Sequence, residues 1–381
     1  MYHAKFFPAR TVFSFYNHRT PRPQFREFAI EFALAEGGTA WKRHCTFADH
    51  KELAKEICKS NFRALHVGAV HDNDVHFAKL GSATPQQREL VFDLDLQDYS
   101  WLGANRDDQA ANDRLVPILF ASAGILEAAL RLIFGFETFL RVYSGRRGAH
   151  LYVLDNRAFA LSNEARTAIC AQVSASVDKF DPRLLFCKQI RENPNLNDES
   201  VDRAIATAVD RAAEILLAND DAILVFVNQL FDWPQKTGYA DQHDRHRRQV
   251  AAAAVGKTGH ATLTAIRTTT ATQPRIYKAR LDDVLLSIVW PKIDTAATKL
   301  GHCVKAPFSL HAKTGRVALP ISSWESPVPI VLGNSMTNIE SVPIEFRVGL
   351  ACIVPHANMA PKRPLTVETP PDAMPDLEEL S

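Results

Sequence analysis

Two carboxylates one residue apart inside an apolar run are the first candidates for chemistry in this chain. Residues 88–99 read R-E-L-V-F-D-L-D-L-Q-D-Y, and Leu90, Val91, Phe92, Leu94 and Leu96 make the stretch strand-like around Asp93 and Asp95. Side chains alternate along a strand, so Asp93 and Asp95 leave the same face. Adjacent like charges repel unless a cation lies between them, and carboxylate oxygens suit hard divalent ions such as Mg²⁺ or Mn²⁺. The alternative reading of such a pair is a solvated strand end. A third acid, Asp294, closes P-K-I-D (291–294) after the apolar stretch Val284–Trp290, which is expected to be a strand.

A basic set accompanies the acids. S-G-R-R-G-A-H (144–150) lies between strand-like Thr138–Tyr143 and Leu151–Leu154. Gly145 and Gly148 let the backbone turn tightly and approach a ligand, while Arg146 and Arg147 are suited to phosphate oxygens. A plain hairpin with two solvated arginines is the alternative. Lys305, His311, Lys313 and Arg316 follow Asp294. In a two-metal site the acidic set holds ions that activate a hydroxyl and stabilise departing pyrophosphate, and the basic set holds a triphosphate. The sum is nucleotidyl transfer.

The elements that must position these groups can be read in outline. At 381 residues the chain has room for two or three domains, or one with a large insertion. Its 44 Lys and Arg balance 43 Asp and Glu, a net charge of +1, so nucleic-acid contact must come from a local patch. Six cysteines without C-x-x-C spacing suggest reduced, mostly buried thiols. No signal peptide is recognisable, and the longest apolar region, Leu115–Phe136, contains Glu127 and Arg131 and reads as a buried helix, with no membrane contact expected.

In chain order, Phe6, Phe7, Phe13, Phe15 and Tyr16 should anchor the N-terminal segment. Arg26–Ala33 and Ala40–Phe47 form a hairpin joined through Glu36-Gly37-Gly38, with Glu27 and Arg43 as a structural ion pair by default. A helix near Asp49–Ser60 and β structure over Ala64–Leu80 follow. Helical spacing runs from Asp113 to Gly135, with Pro117 near its start. Residues 161 to about 275 are mostly helical; Val201, Ile205, Val209, Ala212 and Leu216 mark one amphipathic helix, and Ala222–Leu230 is a further apolar segment. H-D-R-H-R-R (243–248) reads as a solvated basic surface, with His243 and His246 as metal ligands the weaker alternative. From Pro361 the Pro-rich, acidic tail is expected to be disordered or to bind a partner.

Four stretches together resemble one family. R-E-F (26–28) with W-K-R-H-C-T-F (41–47), K-L-G through D-Y (79–99), F-G-F with V-Y-S-G-R-R-G-A-H (134–150), and P-K-I-D through K-A-P-F-S-L-H-A-K-T-G-R (291–316) match, in order and spacing, the catalytic small subunit of the archaeo-eukaryotic DNA primase, the eukaryotic form more closely than the archaeal. The resemblance spans roughly residues 1–320, excepting the helical block. It implies an α+β archaeo-eukaryotic primase fold: a mixed-sheet catalytic core flanked by helices with an inserted helical subdomain. Residues 1–170 and 281–355 would form the core, 171–280 the helical subdomain and 356–381 the tail.

By the same resemblance Asp93, Asp95 and Asp294 are the metal-binding catalytic carboxylates, for Mg²⁺ or Mn²⁺. Ser144, Arg146, Arg147 and His150 fall on the nucleotide-binding loop, Lys305 and His311 on later triphosphate contacts, and Glu27 and Arg43 near the site. The implied activity is synthesis of short RNA primers from nucleoside triphosphates on a single-stranded DNA template. The implied partners are a large primase subunit and a DNA polymerase alpha-type complex, in the nucleus or a viral replication compartment. Two departures mark a divergent member. Residues 100–116, where the family carries clustered cysteines, contain none, so no structural zinc is expected. The spacing from Asp294 to Lys305 is also slightly short. A stand-alone primase-polymerase and an inactive interaction subunit are the competing readings; the D-x-D pattern counts against the first, and three retained acids beside arginines against the second.

Overall fold

Leu90, Phe92 and Leu94 alternate with Val91, Asp93 and Asp95 along β5 (Leu90–Asp95), and that alternation fixes what lies on each side of the strand. In the computed structural model, which describes residues 2–36, 38–59, 61–75, 83–102, 107–173, 197–232, 240–333, 335–336 and 343–357, β5 is the edge of an antiparallel sheet. The order is β5, β7 (Gly148–Val153), β6 (Phe139–Tyr143), β9 (Leu319–Ile321). Leu90, Phe92 and Leu94 join a helix-lined core, whereas Val91 joins a second core together with Tyr152, Leu140 and Val142. Asp93 and Asp95 share the face of Val91, as the period of two requires.

The other sheet runs β2 (Thr39–Cys45), β1 (Arg26–Ala33), β3 (Phe62–His71), β4 (Pro85–Gln87), with the two-residue β8 (Val304–Lys305) also paired to β3. Phe28, Ile30, Leu65 and Val67 on one of its faces pack in the second core with the aromatic residues of α1 (Tyr2–Phe6) and α2 (Ala9–Asn17) and with α3 (His50–Ile57). Phe6, Phe7, Phe13, Phe15 and Tyr16 are all buried there, so the N-terminal aromatics anchor the segment as expected. Asp49 caps α3, accepting from the backbone N–H groups of Lys51 and Glu52.

The long apolar helix is α4 (Gln109–Phe134), capped by Asp108 and stopped by Gly135 in the left-handed region at φ 59°. It starts earlier than expected, so Pro117 lies inside it. It is long and apolar enough to cross a membrane, and most of its apolar side chains are buried against β5 and β7 and the helices that follow. Those are α5 (Asn156–Phe159), α6 (Asn163–Val173), α7 (Glu199–Leu216), α8 (Asp220–Leu230), α9 (Ala240–Ala254), α10 (Gly259–Ala271) and α11 (Arg275–Val289), followed after Asp294 by α12 (Thr295–Thr298) and, later, α13 (Ile344–Ala357).

Two expectations are corrected. Val284–Trp290 is not a strand but the end of α11: Leu281, Val284, Leu285 and Ile288 recur at helical spacing and are buried together, a pattern that a seven-residue apolar window hides. Glu27 and Arg43 do not pair. The register of β1 against β2 shifts between Phe28 and Ile30, and His44 turns left-handed at φ 54°, so His44 Nδ1 meets Glu27 at 3.0 Å while Arg43 lies over the Trp41 ring. The basic patch at 243–248 is a solvated surface, as expected, with Arg245 and Arg248 exposed; Asp244 pairs with Arg247 and Arg248 along the helix, and His243 bonds to the Phe231 carbonyl and stacks on Tyr277. Of the thiols, Cys45 and Cys170 are buried, Cys303 and Cys352 half-buried and Cys58 exposed, all unbridged. Gly37, K-L-G at 79–81, residues 103–106 of the cysteine-free stretch, part of the helical block and the tail from 361 lie outside the described residues.

Buried arginines tie the segment after Asp294 to the base of β5. Arg88 donates to the carbonyls of Lys299 (2.5 Å) and Ala297 (2.9 Å), and Arg166 to those of Thr298, Glu89 and Arg88. Arg26 forms a fully buried pair with Glu89 at 2.5 Å. Arg88→Met nearly keeps the volume but takes the donor from one buried and one part-buried carbonyl, so it should lower unfolding free energy by about 2 kcal/mol, read from the urea midpoint at unchanged slope. An unaltered midpoint would show that these bonds do not hold the segment.

Candidate active site

Antiparallel pairing of β5 with β7 sets Asp93 opposite His150 and Asp95 opposite Gly148. The loop between β6 and β7 therefore arrives beside the acids. Gly145, at φ 87°, packs against the backbone of Arg316 and Val317, where a Cβ would come within 3.0 Å of a carbonyl oxygen. At Gly148 a Cβ would lie 2.9 Å from Ser144 Oγ, the oxygen that accepts the Gly148 N–H at 3.0 Å. Tyr143 Oη and Gln109 Nε2 both donate to the Arg146 carbonyl. Arg316 is occupied in a bidentate pair with Asp113, at 2.5 and 2.8 Å, and braces this loop from outside.

The third acid comes from a distant part of the chain. The Asp294 N–H donates to the Asp93 carbonyl at 3.0 Å, and Tyr99 Oη bridges the Trp290 carbonyl (3.2 Å) and the Lys292 N–H (3.1 Å). The buried tyrosine that ends the D-x-D motif thus holds P-K-I-D in place. Lys305 enters from the other sheet, its strand paired so that it lies opposite His66.

These pieces enclose a cavity of about 250 Å³. Asp93, Asp95, Ser144, Arg146, Arg147, His150, Lys305 and His311, eight of the residues singled out from the sequence, line it. Asp294 adjoins it through Asp93. Glu27 is buried outside it, between His44 and His71, with its carboxylate filling the space left by Gly68. Arg43 is exposed on β2. His66, His302 and Cys303 also line the cavity and were not anticipated. His66 is brought there by strand pairing with a segment more than two hundred residues away, which no local pattern reveals; His302 and Cys303 immediately precede Lys305.

The electrostatics follow from crowding like charges. Asp93, in the cavity wall, has its carboxyl raised to about 7 by the protein packed around it and then by the charges of Asp95 and Asp294. Asp98 is raised by burial and the same acids. Burial beside Lys305 lowers His150 to about 3, so it stands neutral 3.6 Å from Asp93. Burial, then Lys305 and the two loop arginines, lowers His311 to about 3. Lys305 itself is lowered to about 8 by burial. Asp95 accepts from Arg147 Nε at 2.7 Å and from the Gln97 N–H, and Asp294 caps α12 through the Ala296 N–H.

Mutual repulsion among three acids is what a divalent cation relieves, and the oxygen donors match a hard ion. Among the described residues no three such donors stand already converged as a ligand cage. Asp95 and Asp294 would have to exchange their present partners to bind one.

A family model described as DNA primase small subunit matches residues 92–323. The DNA primase small subunit of Saccharomyces cerevisiae is 26% identical over 339 residues, covering 86% of this chain and 81% of that protein. That of Drosophila melanogaster is 26% identical over 339 residues, covering 84% and 75%. Among solved structures, the polymerase domain from Mycobacterium tuberculosis Ligase D in complex with DNA aligns at a TM-score of 0.34 and 14% identity over 87% of this chain and 84% of that one, too loose to carry an argument.

With Lys305 lowered to about 8, its ammonium is present below that pH and lost as pH rises through it. Affinity for inorganic triphosphate, measured by calorimetry, should therefore fall between pH 7 and pH 9, and Lys305→Arg should flatten the fall because a guanidinium stays charged. A wild-type affinity that holds steady to pH 9 would remove Lys305 from the anion site.

Proposed function

The chain belongs to the DNA primase small subunit family, with the α+β archaeo-eukaryotic primase fold, and from that premise we propose that it is the catalytic subunit of a DNA primase. It would make short RNA primers from nucleoside triphosphates on single-stranded DNA. The observation that carries this reading is one cavity in which two strand carboxylates face two arginines, a lysine and four histidines.

In this reading Arg146, Arg147, Lys305 and His311 bind the triphosphate, with Ser144 Oγ and the loop backbone fixing the arginines' approach. Gly148 keeps the loop close to β5, so the α-phosphate is presented toward Asp93 and Asp95. Asp93, Asp95 and Asp294 would hold divalent Mg²⁺ or Mn²⁺, which when bound lowers the pKa of the attacking hydroxyl and offsets charge on the departing pyrophosphate. His150 stays neutral beside Asp93 and adds no positive charge to compete with the ion. A large primase subunit, a DNA polymerase alpha-type complex and a nuclear or viral replication compartment are part of the same proposal.

The test is template-directed synthesis by the purified chain on single-stranded DNA, with ribonucleotides and deoxyribonucleotides compared in Mg²⁺ and in Mn²⁺. Template-dependent short RNA is the expected product, and its absence under every condition would reject the assignment. Asp95→Ala should reduce the rate about a thousand-fold or more with the melting curve intact. Arg147→Ala should chiefly raise the nucleotide KM; an unchanged KM would take Arg147 out of the triphosphate site.

A further inference from the structure

Trp41 is a large aromatic left open on an edge strand. Its side chain is 44% exposed, on β2, the outermost strand of its sheet. By register it lies opposite Glu31, on the face of the sheet that also carries His66. The Trp41 and His66 rings meet at 4.6 Å in an edge-on contact, and His66 is part of the cavity wall beside Lys305. The Arg43 guanidinium lies 5.3 Å from the centre of the Trp41 ring, and its charge is felt at His302 and Cys303, also on the cavity wall. Trp41 therefore begins where the cavity ends.

The surroundings are charged and fixed. Lys42, Arg43 and His44 follow Trp41 on the exposed strand; Lys42 is shared with Glu56 at 3.6 Å and His44 with Glu27, which leaves Arg43 to its contact with the ring. Arg63 donates to the Gly38 carbonyl and the Ala312 carbonyl, tying the tip of the β1–β2 hairpin to the loop that carries His311 and Lys313. A shelf held in this way keeps a constant position relative to the cavity.

We propose that Trp41 is a base-stacking platform for the single-stranded template, which runs from the cavity across His66 on to β2, with Arg43 contacting its backbone. This deepens the primase reading and rests on it. Stacking a base on the ring would replace the cation–π contact, and the released guanidinium would be free for a phosphate. The incoming nucleotide is the less suitable occupant, because its phosphates are accounted for inside the cavity while Trp41 lies outside it on an open edge.

The experiment is binding of oligo-dT by anisotropy and by tryptophan fluorescence, alongside the KM for nucleotide. Trp41→Ala should weaken oligonucleotide binding about ten-fold and abolish most of the fluorescence quenching, while Trp41→Phe should keep most of the affinity; the nucleotide KM should stay unchanged in both. Arg43→Gln should weaken binding and lower its salt dependence. Trp41 variants that bind like the wild type, or that raise the nucleotide KM with oligonucleotide affinity intact, overturn the proposal. Wild-type protein that neither binds oligo-dT nor makes primers overturns the primase reading, and the template path with it.

Discussion

Three carboxylates brought to one place repel one another, and much of this structure can be understood as what is needed to keep them there. The cost registers at Asp93, whose carboxyl is pushed up to about 7 by burial and by Asp95 and Asp294. Contacts among the acids cannot hold such a group together, since they push apart. Bonds to the backbone that carries them do it. Asp93 and Asp95 are locked by the β5–β7 ladder, and Asp294 is held by its own N–H on the Asp93 carbonyl, by the Tyr99 hydroxyl and by Arg88 and Arg166 clamping the turn beyond it. Buried arginines suit this task because one guanidinium reaches several carbonyls in a fixed fork.

What could be read from the sequence were the features whose cause is local. The alternation of Leu90 to Asp95 put two acids on one face, and Gly145 and Gly148 marked a loop that must pass close to other backbone. The amphipathic spacing of α4 and α7 was equally plain. Features that depend on partners far along the chain were not visible. His66 reaches the cavity only because β3 pairs with β8, and Val284–Trp290 reads as a strand because the last turns of α11 are almost wholly apolar while most of its polar positions lie earlier. The Glu27–Arg43 expectation failed by one residue of register, which a bulge at Phe28–Ile30 supplies. The motif tyrosine, Tyr99, was seen as part of a pattern, but its work of holding Lys292 and Trp290 is a tertiary fact.

The helical block and the catalytic sheet are not independent in their packing. Residues of α7, α8, α10 and α11 share one continuous apolar core with the inner face of β5 and with α4. The end of α11 delivers Trp290, whose indole N–H donates to the Val173 carbonyl at 3.0 Å, and then P-K-I-D. Asp294 is therefore positioned from two sides, by the helices that precede it and the sheet it meets. A shift of α11 along its axis would move the third acid directly.

Charged groups in the cavity are offset by their neighbours, and this explains why the acidic and basic sets occur together. Arg147 lies on Asp95, Asp294 caps a helix, and His150 sits uncharged beside Asp93. Under the proposed function a nucleotide arrives with a divalent cation, so both kinds of charge enter at once. The triphosphate can take Arg147 while the cation takes Asp95, an exchange that leaves neither charge without a partner. Either ligand alone would leave one member of that pair without a partner. That pairing thus favours joint over separate binding, and it does so through a single contact of 2.7 Å.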